Sequence, residues 1–273
     1  MANLFFYTMT ILIWGSTWLA IKFQLGNVEP ALSVAYRFAL ASLILFSWCL
    51  LRRLPMRFSV QDHLFVALQG FCLFGVNYLL FYLAELYITS GLAAVVFSTI
   101  VVMNLVNGRL FLGTAIEKRV LLGGFLGMFG LLLLFWPEMV ATSFSGPVML
   151  GLLLSLAATY LASLGNILSA RNQISSLPIV QTNAYGMAYG SFCMLLLVLL
   201  QGMPMIIDTS ITYLSSLFYL ALFGSVIAFG CYLSLVGRIG PGRAAYATLL
   251  FPVVALILST IWESYNWTVP GLC

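Results

Sequence analysis

The chain has 273 residues, 63% of them hydrophobic and 7% charged, with 11 Lys and Arg against 7 Asp and Glu. A soluble domain carries about 25% charged residues, so these few charges cannot coat a water-facing surface and a soluble fold is excluded. The apolar runs reach about 18 residues or more instead of about ten with alternating polarity, which makes the spans helices and excludes an outer-membrane barrel.

Hydropathy and punctuation predict spans over 4–22, 31–51, 63–87, 91–112, 120–136, 147–170, 178–201, 212–236 and 243–262. The first has neither a basic leader nor a small-residue cleavage site, so it reads as a retained helix and not a signal peptide. Pro30, Pro147 and Pro178 fall at helix starts, where a missing N–H is harmless. Pro252 alone lies inside a span and predicts a bend or a lost hydrogen bond there.

The chain repeats itself. PALSVAYRFALA at Pro30 matches PIVQTNAYGMAYG at Pro178, Leu54-Pro55-Met56 matches Met203-Pro204-Met205, and Ala93-Ala94 matches Ala244-Ala245. The offsets correspond to five helices, an odd number, so the second copy must insert upside down. The expected fold is an all-α integral membrane protein of two inverted five-helix repeats, 1–137 and 146–273. Nine helices are present and the tenth stops at the stub Gly271-Leu272-Cys273, which predicts roughly 20 further residues, the length of one span.

Charge predicts the orientation. With the N-terminus cytoplasmic, Arg52, Arg53, Arg57, Arg109, Lys118, Arg119, Arg171, Arg238 and Arg243 face inward and Lys22 alone faces outward. Glu138 and Asp208 then lie outside. No basic stripe has the density that nucleic acid requires. The five cysteines (Cys49, Cys72, Cys193, Cys231, Cys273) lack CxxC spacing, so neither a disulfide framework nor a metal site is expected, and no cofactor is implied.

Catalytic constellations are missing as well. His63 is the only histidine, beside Asp62 at a helix end, and both lysines also lie at helix ends, so an enzyme reading lacks its parts. Arg37 is the one basic group inside a span; in hydrocarbon it needs a partner, with Glu85 or Glu29 available, as a bracing ion pair, a gate or a binder of substrate carboxylate.

Polar and aromatic residues recur at helical spacing: Thr10, Trp14, Thr17 and Trp18; Asn77, Tyr78, Tyr82 and Glu85; Ser155, Thr159, Ser163 and Asn166. Such stripes serve either as interhelical glue and interfacial belts or as the lining of an organic-solute cavity. Ser98, Thr99, Asn104 and Asn107 on the fourth span and Tyr246 and Thr248 on the ninth add to the second reading. The expected cavity residues are Trp14, Asn77, Tyr78, Tyr82, Ser98, Ser155 and Asn166. Gly123, Gly127 and Gly130, and the Gly186/Gly190 pair, predict close internal packing, with homodimerisation as the alternative to a monomer.

IWGSTWLAIK, the Pro-x5-Tyr-Arg-Phe start at Pro30, TSGLAA, NGRLFLG and GPGRAAYATLLFP together resemble the drug/metabolite transporter superfamily, in its EamA-type ten-helix branch. VVFSTIVVMN followed by NGRLFLG is most similar to the YddG-type bacterial amino-acid exporters. Where such proteins commonly have Gly-Glu, this chain has Gly113-Thr114, so the role of that acid does not carry over. The resemblance implies a bacterial inner-membrane exporter of small metabolites, working by alternating access around a central cavity and surrounded by lipid. Amino acids, with bulky apolar or aromatic side chains favoured, are the expected substrates. A nucleobase, nucleotide-sugar or drug carrier is the alternative, and a membrane-embedded enzyme a more distant one.

Overall fold

A computed structural model describes residues 2–134, 136 and 146–262 of the protein. Glu138, Glu263 and the Gly271-Cys273 stub lie outside the described residues, as does the side chain of Trp18. The helices are α1 (Ala2–Lys22), α2 (Pro30–Leu51), α3 (Val60–Ala84), α4 (Ser90–Ser98 and Ile100–Leu112), α5 (Lys118–Leu134), α6 (Gly146–Ile174), α7 (Ile179–Leu200), α8 (Ile211–Ile239) and α9 (Ala247–Trp262). All but α5 and α9 are long and apolar enough to cross a membrane, and no strand occurs among the described residues.

Local chemistry sets the ends. Pro30 occupies the first turn of α2. The Ser59 hydroxyl oxygen accepts the Asp62 N–H at 3.1 Å to start α3, Thr89 caps α4 through Leu92 N–H at 3.2 Å, and Ser210 caps α8 through Tyr213 N–H at 3.3 Å. α4 stops at Gly113, whose φ of 66° lies in the left-handed region that glycine tolerates. α9 starts later than expected, because Gly240 (φ 84°) and the single helical turn Pro241–Ala244 intervene; α6 runs on to Ile174 and α3 begins at Val60. The helix runs through Pro252 from Ala247 to Trp262.

Neither hydropathy nor periodicity predicts two interruptions. α3 contains a π-helical turn at Phe71–Gly75 and α8 one at Leu220–Ile227. They start 149 residues apart, the repeat offset, and Gly75 corresponds to Gly224 in the same register.

The two halves interlock by exchanging partners. α2 packs most extensively on α7; α1 packs on α8 and α9, while its repeat counterpart α6 packs on α3 and α4. Ser42 Oγ donates to the Ala184 carbonyl at 2.9 Å, and Ser191 Oγ donates to the Ala35 carbonyl at 2.8 Å. Both serines and both alanines are 149 residues apart, so these bonds are one interaction seen twice, across the pseudo-two-fold axis of an inverted repeat.

Small residues allow the closest crossings. A Cβ on Gly70 would fall on the Gly186 carbonyl oxygen, and one on Gly190 would come within 2.8 Å of Phe74 backbone, so α3 and α7 touch main chain to main chain. Gly123 of α5 faces Tyr246, just before α9, Gly127 faces Leu249 of α9, and Gly124 faces Val101 of α4, while a Cβ at Gly130 would meet open space.

Candidate functional site

A cavity lies between the two halves at mid-height. Its volume is ≈ 70 Å³. One half contributes α1, α3 and α4, the other α6, α8 and α9, so its walls follow the pseudo-symmetry.

Trp14 is the hub. Its ring centroid lies 4.9 Å from Tyr232, 5.0 Å from Phe229 and 6.5 Å from Phe251, in tilted or edge-to-face geometries that aromatic quadrupoles favour. Its indole N–H donates to the Gly224 carbonyl at 3.2 Å, on the π-helical turn of α8. Tyr78 stands 6.3 Å from Phe229, and Phe97 closes the ring between Phe81 (5.4 Å) and Phe251 (5.8 Å). The polar lining is Thr17, Asn77 and Asn166 with the aromatic heteroatoms. Asn77 Nδ2 donates to the Ala158 carbonyl at 3.3 Å and Asn166 Nδ2 to the Tyr232 hydroxyl at 3.1 Å. Among the described residues no charged side chain lines the cavity.

Four expected site residues, Trp14, Asn77, Tyr78 and Asn166, are thus brought together, and three are not in the lining. Tyr82 is fully buried beyond the cavity, its hydroxyl donating to Gln24 Oε1 at 2.9 Å. Ser98 returns its hydroxyl to the Val95 carbonyl at 2.6 Å, the local bond that short hydroxyls make inside helices. Ser155 is fully buried in α6, outside the cavity wall.

Phe81, Phe97, Phe229, Tyr232 and Phe251 line the cavity although periodicity did not single them out. The repeat carried part of the missing signal: Phe251 stands 151 residues after Ile100, the offset of Ala93 and Ala244, and Ile100 and Phe251 both line the cavity.

Arg37 sits one ring behind the wall. It is 1% exposed; its Nε donates to Ser225 Oγ at 2.9 Å, and its guanidinium lies 4.6 Å from the Tyr78 ring centroid and 5.3 Å from that of Phe38. The hydroxyls of Tyr78 and Tyr82 also lie within its hydrogen-bonding reach. Gly224 makes the approach possible, since a Cβ there would stand 3.1 Å from Arg37 Nη2. Glu85, at the end of α3, lies where its charge acts on the Tyr82 hydroxyl.

Further bonds between the halves lie toward each end. Near Lys22, Ser33 meets Tyr213 at 3.0 Å and Asn27 donates to Asp208 at 3.3 Å. At the arginine-rich end Asn104 donates to the Pro241 carbonyl at 3.1 Å, Asn107 to Ser163 at 2.9 Å, and Arg243 pairs with Glu117 at 2.5 Å. The hydrogen bond to Glu117, and then its charge, push the Arg243 guanidinium above its ordinary pKa. The Tyr7 hydroxyl donates to the Arg243 carbonyl beside this pair.

An all-helical inverted repeat, with an uncharged aromatic cavity at mid-height between its halves and further bonds between them toward each end, is the architecture of a membrane transporter. Family comparison agrees. The EamA-like transporter family model matches twice, over residues 2–136 and 149–270, and the chain belongs to that family. It is 32% identical to the "Uncharacterized inner membrane transporter YedA" of Escherichia coli K12, covering 91% of this chain and 79% of that protein. It is 26% identical to the "Probable amino-acid metabolite efflux pump" of the same strain, covering 91% and 82%. A crystal structure 17% identical in sequence superposes with a TM-score of 0.81 over 99% of this chain and 91% of the other, a likeness of fold.

Proposed function

We propose that this protein exports amino acids and related small metabolites across a bacterial inner membrane, N-terminus inside, by alternating access. The observation that carries the reading is the mid-height cavity whose wall is made of aromatic faces and two amides. Flat π-faces stack on organic side chains, amides orient a polar head, and the absence of a charged lining suits a solute with no net charge. The name of the efflux-pump relative points to the same substrate class.

Trp14, Asn77, Tyr78 and Asn166 contact the solute. The bonds toward the two ends act as alternating seals: rocking one half against the other breaks the set at the Lys22 end while the Asn104, Asn107 and Arg243 set stays closed, and then the reverse. Arg37 and Ser225, joining α2 to α8, belong to the first seal. Among the described residues the acids Glu29, Asp62, Glu85, Glu117 and Asp208 stand at helix ends or in loops, away from the mid-height where a proton-coupling group would load and release. Transport therefore runs down the substrate gradient.

Purified protein in liposomes tests this. Saturable uptake of labelled amino acids, competed by other amino acids and not by nucleosides, is expected with no ion gradient imposed. Uptake of nucleosides or nucleotide sugars alone would overturn the substrate class. Uphill accumulation driven by a pH gradient at clamped potential, abolished in Glu85→Gln, would overturn the uncoupled mechanism.

A further inference from the structure

Two amides in the cavity wall are incompletely satisfied, and both lack the same thing. Asn77 is 4% exposed and Asn166 1%, yet the Oδ1 of each is buried without a hydrogen-bond partner. The amide orientation of Asn77 follows from its neighbour: the Ala158 carbonyl only accepts, so Nδ2 must face it and Oδ1 must face elsewhere. Asn166 meets the Tyr232 hydroxyl, which can donate as well as accept; with its Nδ2 turned to that hydroxyl, as in this structure, its oxygen is left over. A buried acceptor without a donor is expensive; others, Asn104 Oδ1 and Asn183 Oδ1 among them, lie outside this cavity's lining, and the two in its wall are the ones that a solute bringing donors can reach.

We infer that Asn77 and Asn166 form the pole of the cavity that grips the substrate's ammonium group, an inference that rests on the amino-acid export reading. An ammonium group carries three N–H donors and a full positive charge. The amide oxygens take the donors, and the faces of Trp14 and Tyr232, whose centroids are 4.9 Å apart, supply the negative side of their quadrupoles. A carboxylate at the same place would meet two acceptor oxygens and be repelled, and a hydrocarbon would leave both unsatisfied. The pole is neutral because no acid lines the cavity, so the group is held by dipoles alone and released without proton transfer.

A bound sodium ion has the same appetite for carbonyl oxygens, and the experiment separates the two. In proteoliposomes of the full chain taking up labelled L-phenylalanine, phenethylamine keeps the ammonium group and lacks the carboxylate, whereas 3-phenylpropionate does the reverse. Phenethylamine is expected to compete and 3-phenylpropionate to compete far more weakly. Asn77→Leu and Asn166→Leu should each weaken inhibition by phenethylamine about tenfold or more, the worth of one hydrogen bond to a charged group. Asn166→Asp keeps an acceptor, adds negative charge and can be met by the rotating Tyr232 hydroxyl, so it should tighten that inhibition. Uptake should be unchanged when all sodium is replaced by potassium.

Equal competition by the two analogues, or unchanged inhibition in folded Leu variants, overturns the pole while leaving amino-acid export standing. Loss of uptake without sodium overturns it by assigning the oxygens to an ion. Should the Leu variants not fold, Asn166→Asp decides: tighter phenethylamine inhibition supports the pole and weaker or equal inhibition overturns it. If the wild-type protein takes up no amino acid, the export reading fails and the pole fails with it.

Discussion

Removing the charge of Arg37 should harm the fold less than removing a partner of that charge. The guanidinium gains a charge-assisted bond to Ser225, worth about 1.5–3 kcal/mol, and contacts with the Tyr78 and Phe38 rings worth about 0.5–2 kcal/mol each. Against this stands desolvation of a cation that is 1% exposed, about several kcal/mol, and its Nη1 has no hydrogen-bond partner. The opposing sums nearly cancel. Arg37→Met keeps the length and drops the charge, so it should leave stability within about 1 kcal/mol of wild type, or raise it. Ser225→Ala keeps the buried charge and deletes one of its hydrogen bonds, costing about 1.5–3 kcal/mol. At about 2–4 °C per kcal/mol, Ser225→Ala should melt roughly 3–12 °C lower and Arg37→Met within about 4 °C of wild type. The assay is thermal unfolding of the purified protein in one detergent at one scan rate. If Arg37→Met melts below Ser225→Ala, Arg37 is a net stabiliser of the fold and the reasoning fails.

Gly70→Ala should be among the most destabilising single methyl additions in the chain, because the new Cβ meets the Gly186 backbone oxygen and α3 cannot retreat without losing its contact with α7; the same addition at Gly130, where nothing lies within 4 Å, should be nearly neutral in the same melting assay. Trp14→Ala and Tyr78→Ala should weaken liposome uptake severalfold or more with folded protein still recovered, through loss of stacking surface and, for Trp14, of the bond to Gly224; normal transport by both would make the aromatic ring mere packing. Cysteine introduced at Arg57 or Arg119 should resist an impermeant thiol reagent in intact cells while one at Asp208 reacts, in a background free of other cysteines, and the opposite labelling would invert the proposed orientation.

Much of this architecture was legible before any coordinates. Apolar runs too long for soluble helices, broken by proline and short basic loops, could only be membrane spans, because a backbone in lipid has to satisfy its own hydrogen bonds. A repeat offset of five helices forces inversion by parity alone, and the reciprocal bonds of Ser42 and Ser191 are its physical form. Trp14, Asn77, Tyr78 and Asn166 could be picked out because polar groups inside apolar helices are costly and stand out against their background.

Other features were decided only by tertiary structure. Phe81, Phe97, Phe229 and Phe251 are indistinguishable in hydropathy from the phenylalanines that face outward, such as Phe125, Phe129 and Phe192; only the packing of one half against the other selects which rings surround the cavity. Ser98 and Thr99 satisfied themselves within α4, a local bond that competes with any role in the cavity wall and depends on backbone geometry. Arg37 was recognisable as a buried cation, but its hydroxyl and aromatic partners come from residues 188 positions away and from the adjacent helix. The π-helical turns belong here as well. Composition does not mark them, and the turn in α8 is stabilised by contacts across the halves: Trp14 on the Gly224 carbonyl and Arg37 on Ser225. Composition and parity along the chain thus determined the membrane, the helices and their inversion. The choice of which faces meet was left to packing, because in lipid all apolar faces are alike until close contact and hydrogen bonds separate them.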